Sequence, residues 1–375
     1  MRYDFCIVGA GPAGLILAER IANINNQKVL IIEKRNHIGG NLHDRYDVDG
    51  ILIHTYGPHF FRTDKQTIWK YLSNFTEWHD YEHKVKASVV GMEVPFPINL
   101  DTYNSLFNKN LNSDEFKEWL EGNKFTDNPK NAEEAIINQV GKYLYEIFFQ
   151  NYTIKQWGKH PTQLHPDTVK RVPVRIDREN RYQIAKYQGI PKNGYTEMFM
   201  KMVDSERIHL LLNVDYKEII DSINFNHLIY TGPIDYFYNF KHGSLEYRSL
   251  KFIRKFFKKE SFQSSAVINY PNSYDYTRIT EYKKMTGQEH TGTSIHEEYP
   301  VEYIRGDNEP YYPILDEKNL LLRKLYIDEA QQEPNVTFVG RLAEYRYYAM
   351  DEIVEEALKI FSHKFEITKA WSSSD

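Results

Sequence analysis

Four stretches of the sequence concentrate arginine or tyrosine, whose side chains bind phosphate oxygens and aromatic rings. These stretches are residues 170–175, 276–284, 309–314 and 346–348. An arginine fork binds phosphate in bidentate fashion, and a tyrosine hydroxyl donates a further hydrogen bond. If the stretches converge in the fold, they form a cleft for a diphosphate with an aromatic base stacked at one end. The alternative is that Arg171 and Arg175 are surface charges on a strand.

Other kinds of catalytic chemistry have no sequence support. The chain has no G-x-S-x-G elbow, no H-E-x-x-H pair and no Walker loop. His54, His59, His79 and His83 lack the spacing of metal ligands, so no metal site is predicted and most of them are expected to be structural or on the surface. The one cysteine, Cys6, excludes an internal disulfide and is expected to be a small buried residue of the first strand.

The N-terminal residues predict a dinucleotide-binding βαβ unit. An apolar strand leads into GAGPAG at 9–14, a helix begins at about Pro12, and a second apolar strand ends at Glu33. In this motif the glycines permit a tight turn, close approach of a pyrophosphate and packing of helix on strand. The helix N-terminus attracts phosphate, and the acidic residue accepts hydrogen bonds from a ribose hydroxyl.

The residues that follow favour FAD as the dinucleotide. Lys34-Arg35 adds positive charge beside the same ligand, and Gly39-Gly40-Asn41 adds a second place where the backbone can approach it closely. Such an extended binding surface suits a long cofactor. Two later apolar strands end at Thr231-Gly232 and at Gly340-Arg341. The pattern predicts a nucleotide-binding domain assembled from three separated stretches, as in glutathione-reductase-like flavoproteins.

The composition bounds the class of protein. A chain of 375 residues predicts two or three domains. Its net charge of −5 argues against nucleic acid as a partner. No apolar run of membrane-spanning length and no signal peptide occur, so a soluble cytoplasmic protein without a membrane span is expected. Helix-period apolar residues at 66–79 and 102–150 predict helices, the second group as an inserted helical domain.

These motifs resemble those of the bacterial UDP-galactopyranose mutase family. The resemblance covers nearly the whole chain in the order of the family. Its motifs are GAGPAG at 9–14, IEKRNHIGGN at 32–41, YGPH at 56–59, YT-x-KQWG at 152–158, KR-x-PVR at 170–175, YQGIP at 187–191, YTGPID at 230–235, EYRSL at 246–250, YTRI at 276–279, PYYP at 310–313 and GRLAEY at 340–345.

The chemistry that the resemblance implies is a sugar ring contraction without net redox. Reduced FAD acts through N5 as the nucleophile at the anomeric carbon and expels the diphosphate; the opened sugar recloses as a furanose and the diphosphate returns. The expected reaction converts UDP-galactopyranose to UDP-galactofuranose, for cell-surface polysaccharide such as O antigen. Expected partners are a nucleoside-diphosphate sugar, an external reductant such as NAD(P)H and a second copy of the chain, since the family is commonly dimeric.

The resemblance also implies roles for individual residues. The expected catalytic residues are Arg171, Arg278 and His59. The expected substrate-binding residues are Phe148, Tyr152, Thr153, Trp157, Tyr182, Tyr312 and Tyr347. The expected cofactor-binding residues are Gly9, Gly11, Pro12, Ala13, Gly14, Glu33, Lys34, Arg35, Gly40, Asn41, Thr231, Gly232, Gly340, Arg341, Tyr348 and Met350.

The expected fold is α/β, with a Rossmann-like FAD-binding domain assembled from separated segments, an inserted helical domain and an antiparallel β-sheet substrate domain. Residues 1–80, 215–245 and 325–365 are assigned to the FAD-binding domain and 100–150 to the helical domain. Residues 81–99, 151–214 and 246–324 are assigned to the substrate domain, with a mobile lid at about 165–190. Residues 366–375 are expected to be a disordered tail.

Several positions depart from the family pattern. They are Phe60, Phe61, Arg62, Gln183, Ile184, Tyr282, Lys284 and Ala349. Ala349 replaces an aspartate, which removes a charge from a polar cleft. The departures reflect either neutral drift or a changed hexose, such as the sugar of dTDP-3-acetamido-3,6-dideoxygalactose. An FAD-dependent oxidase and a non-catalytic nucleotide-binding protein are the alternatives from other functional classes.

Overall fold

The computed structural model describes residues 2–169 and 173–367. Residues 368–375, most of the predicted tail, lie outside the described residues. The strands are β1 Arg2–Val8, β2 Val29–Glu33, β3 Asp44–Tyr46, β4 Leu52–His54, β5 Phe61–Thr63, β6 Trp78–Asp80, β7 Val85–Val89, β8 Met92–Phe96, β9 Tyr187–Pro191, β10 Ile208–Leu212, β11 Asn224–Tyr230, β12 Tyr247–Phe257, β13 Val267–Asn269, β14 Arg278–Glu281, β15 Thr293–Glu302, β16 Tyr312–Pro313 and β17 Val336–Phe338. The α-helices are α1 Pro12–Ile24, α2 Gln66–Ser73, α3 Leu100–Phe107, α4 Ser113–Gly122, α5 Ala132–Leu144, α6 Asn151–Trp157, α7 Tyr195–Met202, α8 Tyr216–Ile219, α9 Ile234–Phe237, α10 Lys283–Thr286, α11 Glu317–Ala330 and α12 Met350–Ile360.

A five-stranded parallel sheet carries the N-terminal motif. Its strand order is β10-β2-β1-β11-β17, and α1 connects β1 to β2. β2 is buried along its whole length, as expected for a strand covered on both faces. Cys6 is fully buried in β1, as predicted.

The edge strand β10 lies in the parallel sheet, whereas the predicted domain boundaries assign residues 151–214 to the substrate domain. Ile208–Leu212 pairs with β2 in the parallel sheet, because its apolar residues extend that sheet directly after α7. The rest of the division into domains stays a prediction.

A seven-stranded sheet forms the second layer, in the order β16-β12-β15-β14-β13-β7-β8. Its neighbouring strands are antiparallel except for β13 and β7, which run parallel. The mixed α/β fold, with a Rossmann-like parallel sheet and a mainly antiparallel sheet, confirms the predicted fold class. This second sheet positions Arg278 at the start of β14.

The segment 100–150 carries α3, α4 and α5, which pack around Tyr103, Phe116, Val140 and Leu144. A π-helical turn at Tyr145–Gln150 joins α5 to α6, so the helical segment leads directly into the residues of the YT-x-KQWG motif.

The helix predicted over 66–79 is shorter than expected. α2 ends at Ser73, and Trp78–Asp80 instead pairs with β9. The Trp69 and Trp78 rings stack with centroids 4.1 Å apart. The apolar residues at helical spacing over 66–79 therefore belong to a helix and a strand that pack in the same core.

Candidate active site

The first cavity, of about 570 Å³, lies at the carboxyl ends of the parallel strands. This is where open α/β sheets bind their ligands. Its lining includes every predicted cofactor-binding residue except Gly14. These are Gly9, Gly11, Pro12, Ala13, Glu33, Lys34, Arg35, Gly40, Asn41, Thr231, Gly232, Gly340, Arg341, Tyr348 and Met350.

The glycines of the motif make room that no other residue would leave. Gly9 has φ +102°, and a Cβ there would lie 2.0 Å from Oγ1 of Thr231. A Cβ on Gly14 would lie 2.2 Å from the carbonyl oxygen of Gly9, so Gly14 lets α1 pack against the turn. A Cβ on Gly40 would lie 2.9 Å from Cα of Gly11. The turn is thus an open cradle at the start of α1, which fits a pyrophosphate.

Glu33 ends β2 with its carboxylate buried at the cavity. Its two oxygens accept backbone N–H groups of Ala10 and Arg35, both at 2.8 Å. Since each carboxylate oxygen accepts more than one hydrogen bond, Glu33 retains capacity for a ribose hydroxyl.

Arg35 is held on several sides. Its Nη2 atom donates to Glu309 at 2.6 Å, its Nη1 atom donates to Asn41 at 3.1 Å, and its guanidinium lies 4.6 Å from the ring centre of Tyr56. Burial alone would lower the pKa of Arg35, but Glu309 raises it above the ordinary value. The buried Nε atom has no partner among the described residues. Lys34 also lies 3.3 Å from Glu309, so the cavity wall is positively charged but partly neutralised.

A second cavity, of about 500 Å³, continues from the first. The two share Asn41, His59, Arg341, Tyr348, Ala349 and Met350. The second is also lined by Tyr182, Arg278, Tyr312 and Tyr347, which the sequence analysis expects at the substrate. A ligand in the first cavity and a ligand in the second would therefore meet beside His59 and Arg341.

Arg278 is the central cation of the second cavity. Its Nη2 atom donates to the hydroxyl of Tyr152 at 2.6 Å, and its Nε atom lies 3.1 Å from Oε1 of Glu298. Burial alone would lower the pKa of Arg278, but Glu298 and the surrounding tyrosines raise it well above the ordinary value. Arg278 therefore stays charged in a half-buried site, where charge-assisted hydrogen bonds to an anion are strong.

Sheet register and one helix bring these partners together. Arg278 and Glu298 are directly paired on the antiparallel strands β14 and β15. Thr277 strengthens this pairing, since its backbone N–H donates to the carbonyl of Glu298 at 2.8 Å. Tyr152 comes from the first turn of α6, which lies against β15.

Tyr312 forms the next part of the wall, and Trp157 lies beside it without lining the cavity. Their ring centroids are 6.4 Å apart and tilted by 54°. Burial raises the pKa of Tyr312 to about 12. Its hydroxyl therefore stays protonated and can donate a hydrogen bond to an anion. Arg341 lies 5.9 Å from the Tyr312 ring and 5.1 Å from the Tyr347 ring. The same guanidinium donates to the carbonyls of Tyr311 and Tyr348 at 3.2 and 3.3 Å.

His59 lies at the junction of the cavities in the neutral form. Burial, with the nearby charge of Arg341, lowers its pKa to about 4. Its Nδ1 lies 2.8 Å from the carbonyl oxygen of Gly57. A carbonyl can only accept, which assigns the proton to Nδ1 and leaves Nε2 as an acceptor. Its backbone N–H donates to Nδ1 of the buried His54 at 3.0 Å.

Tyr182 reaches the second cavity from the region predicted as a lid. Its backbone N–H donates to the carbonyl of His83 at 2.6 Å. Arg175 folds the segment that carries it by donating to the backbone carbonyls of Glu179, Arg181 and Tyr182. Arg175 therefore has a structural role, because its hydrogen bonds hold this segment together. Arg171, the second expected diphosphate arginine, lies outside the described residues.

Two of the expected substrate residues lie deeper. Phe148 is 2 % exposed and packs with Phe96 in the core of the helical segment, and Thr153 is 5 % exposed on α6. Neither lines the two cavities. Tyr152 and Trp157 do not line the cavities either. Tyr152 accepts a hydrogen bond from Arg278, and the Trp157 ring lies beside that of Tyr312.

Three lining residues were given no role by the sequence analysis. Glu298, Tyr56 and Tyr311 line the second cavity. Glu298 is one of several acidic residues on a strand, and the sequence does not single it out. Only its pairing with Arg278 in the sheet identifies it as a residue of the site. Tyr56 and Tyr311 lie within the recognised motifs YGPH and PYYP, and that membership was the available signal.

The departures from the family pattern divide into two groups. Phe60, Arg62, Gln183 and Ala349 line the second cavity. Phe61, Ile184, Tyr282 and Lys284 do not. Tyr282 is fully buried and donates to the carbonyl of His54 at 3.1 Å, which gives it a structural role.

Among the described residues, no group of histidine, cysteine or acidic side chains could hold a metal ion. No helix in the described part of the chain is long and apolar enough to cross a membrane.

A sequence model described as UDP-galactopyranose mutase matches residues 147–347, and one for an NAD(P)-binding Rossmann-like domain matches residues 7–75. The chain is 40 % identical to a probable UDP-galactopyranose mutase of Klebsiella pneumoniae, over 95 % of this chain and 93 % of that protein. This chain belongs to the UDP-galactopyranose mutase family. The resemblance inferred from the motifs is thereby confirmed.

The relatives of this chain differ in the substrates that their names give. The chain is also 35 % identical to the dTDP-fucopyranose mutase of Escherichia coli, over 94 % of this chain and 96 % of that protein. Its fold matches the crystal structure of a reduced UDP-galactopyranose mutase with a TM-score of 0.73 at 17 % identity, covering 97 % of this chain and 94 % of the other. Family and fold together support a flavin cofactor.

Proposed function

We propose that the protein converts a nucleoside-diphosphate hexopyranose to its furanose form, with UDP-galactopyranose as the substrate. One observation carries this proposal. A half-buried, charged arginine, Arg278, is ringed by tyrosines in a cavity that opens into the first cavity. Such a site suits a diphosphate that must be held after it leaves the sugar and then be returned.

Arg278 and Tyr312 would bind the diphosphate oxygens, and Arg341 adds positive charge where the cavities join. Tyr152 and Glu298 orient the Arg278 guanidinium. Trp157, beside Tyr312, offers a ring for the base. Arg171 joins this set as the second expected diphosphate arginine. Enclosure of the site by Tyr182 and its segment would exclude water from the opened sugar.

FAD is the proposed cofactor, and the first cavity fits it. The glycine cradle would hold the pyrophosphate, Glu33 the ribose, and the residues shared with the second cavity the flavin end. When bound and reduced, the flavin supplies the nucleophile at N5 for the anomeric carbon. His59 would contribute an acceptor nitrogen at that junction while staying neutral.

We further propose an external reductant such as NAD(P)H, because the flavin must be reduced before turnover. A homodimer is proposed from the family alone. Sedimentation of the purified holoenzyme tests it, and a monomer at working concentration would remove it.

A second candidate is the same reaction on a modified hexose. Arg62, Gln183 and Ala349 depart from the family pattern and line the second cavity, so its chemistry differs where the sugar would lie. A deoxy or acetamido sugar on dTDP, such as dTDP-3-acetamido-3,6-dideoxygalactose, is the proposed form of this alternative.

Turnover of each sugar nucleotide by oxidised and by dithionite-reduced holoenzyme tests these proposals. We expect furanose formation only after reduction. Efficient turnover of UDP-galactopyranose and none of the dTDP sugar would remove the second candidate. Net oxidation of a substrate by the oxidised enzyme would overturn the proposed function in favour of an oxidase.

A further inference from the structure

Lys155 has a hydrogen-bond arrangement that the proposed mechanism leaves unused. Its Nζ atom donates to three backbone carbonyls, those of Tyr270 at 2.5 Å, Tyr274 at 2.9 Å and Tyr276 at 3.1 Å. A lysine ammonium has three N–H donors, and all of them are engaged here. The partners are neutral carbonyls of one loop rather than a carboxylate.

The loop that Lys155 binds leads directly to Arg278. It joins β13 to β14, and Arg278 is the first residue of β14. The rings of Tyr274 and Tyr276 stack 4.6 Å apart, and the Tyr270 ring meets the Tyr276 ring edge-on at 5.3 Å. The loop is therefore compact, and its position depends on the hydrogen bonds that attach it to neighbouring elements.

Lys155 itself lies on α6, three residues after Tyr152 and two before Trp157. Since Tyr152 bonds Arg278 directly, α6 and the loop approach the guanidinium from two sides. A separate bond from Asn151 to Asn272, at 2.9 Å, ties the first residue of α6 to the same loop.

We propose that Lys155 is a positioning residue: its ammonium fixes the loop before β14 against α6 and so holds Arg278 and Tyr152 in register for the diphosphate. This inference rests on the proposed function, in which Arg278 binds the diphosphate. Among the described residues no carboxylate forms an ion pair with the half-buried Lys155, so its ammonium is costly to keep. Burial lowers the pKa of Lys155 to about 8, and the charge of Asp275 in the same loop opposes this only in part. Three carbonyl dipoles offset part of that cost, and a planar guanidinium could not meet all three in the same way.

The test compares Lys155→Met with Lys142→Met, which removes an exposed lysine of α5 that pairs with Glu146. Affinity for UDP is measured by calorimetry on holoenzyme, with bound flavin checked by visible absorption. We expect Lys155→Met to weaken UDP binding by about tenfold to hundredfold, the order expected when a binding group shifts by about 1 Å. Lys142→Met should leave the affinity unchanged.

A double-mutant cycle separates positioning from general stability. In an Arg278→Ala background, Lys155→Met should have no further effect on UDP affinity, because its action passes through Arg278. A rescue variant, Lys155→Cys treated with bromoethylamine, restores an ammonium of nearly the same length and should restore affinity. Cys6 is fully buried, so the alkylation is selective.

Unchanged UDP affinity in Lys155→Met overturns the inference, and so does an equal loss in the Arg278→Ala background. If Lys155→Met does not fold, the Lys155→Cys protein before and after alkylation gives the same comparison. Unchanged affinity in Arg278→Ala itself would instead overturn the proposed diphosphate role of Arg278, so the two failures are distinguishable.

Discussion

Arg278 and Glu298 face each other on neighbouring antiparallel strands, with Nε of the arginine 3.1 Å from Oε1 of the glutamate. The pair lacks an aligned hydrogen bond at Nε, so it is an ion pair held by charge and sheet register. Glu298 is 3 % exposed and thus contributes a buried counter-charge behind the cation. The guanidinium is therefore oriented before any ligand arrives, which lowers the cost of binding one.

Glu298→Gln tests this orientation. The change keeps the shape of the side chain but removes the counter-charge, so Arg278 becomes more attractive to anions and less precisely placed. We expect kcat to fall by about one to two decades while UDP binds as tightly as before or more tightly. Steady-state kinetics and UDP calorimetry on flavin-loaded protein check this, and an unchanged kcat contradicts it.

Arg278→Ala should nearly abolish turnover while the flavin stays bound. Loss of two charge-assisted hydrogen bonds amounts to about 3 to 6 kcal/mol, or two to four decades in rate. Visible absorption of the purified variant serves as the control for the cofactor. Full activity of this variant would rule out the assigned role.

Trp157→Ala should raise KM more than it lowers kcat. Stacking on a base is present in the ground state and in the transition state alike, so its loss weakens both equally. Trp157→Phe is the matched control, since it retains a ring beside Tyr312 and should recover most of the KM. A fall in kcat at constant KM would show that the ring acts on the chemical step instead.

Ala349→Asp tests whether the departures set the sugar specificity. Ala349 is the N-cap of α12 and lines both cavities, so an aspartate there caps the helix and adds a charge at the site. We expect kcat/KM for UDP-galactopyranose relative to the dTDP sugar to rise about tenfold, as for one charge-assisted hydrogen bond. Ala349→Asn supplies the cap without the charge. Equal ratios in all three proteins would assign the change at 349 to drift.

The buried His54 predicts a loss of stability in acid. Burial lowers its pKa to about 3, whereas the unfolded chain takes up that proton near pH 6.5. Between these values the unfolded state binds more protons, so the free energy of unfolding falls as the pH falls. His54→Asn, which keeps an acceptor for the His59 N–H, should flatten this slope by up to ~1.4 kcal/mol per pH unit.

Urea unfolding at pH 7, 6 and 5 measures the effect. His363→Asn, an exposed position after α12, is the control and should leave the slope unchanged. An identical slope in His54→Asn and the parent protein would contradict the assignment.

The sequence predicted the nucleotide-binding unit because its signal is local. The strand, the glycines and Glu33 lie within one βαβ segment, and each has a fixed geometric task. β10 was assigned to the wrong side of a boundary because its short apolar run has no such motif beside it.

The second cavity required more than local patterns. Tyr152 and Arg278 are 126 residues apart, and only the family resemblance placed them together before the fold did. Glu298 was missed because a strand register is not readable from one sequence. The carbonyl partners of Lys155 were equally hidden, since backbone atoms carry no sequence signal.

The central claim is that the diphosphate leaves the sugar, is held beside Arg278 and returns. UDP-galactopyranose labelled with oxygen-18 between the anomeric carbon and phosphorus tests it directly. With reduced holoenzyme we predict that the label scrambles into the non-bridging positions of the β-phosphate, and that Arg278→Ala slows this exchange by about two to four decades. Furanose formation with the label still in the bridge would contradict the account.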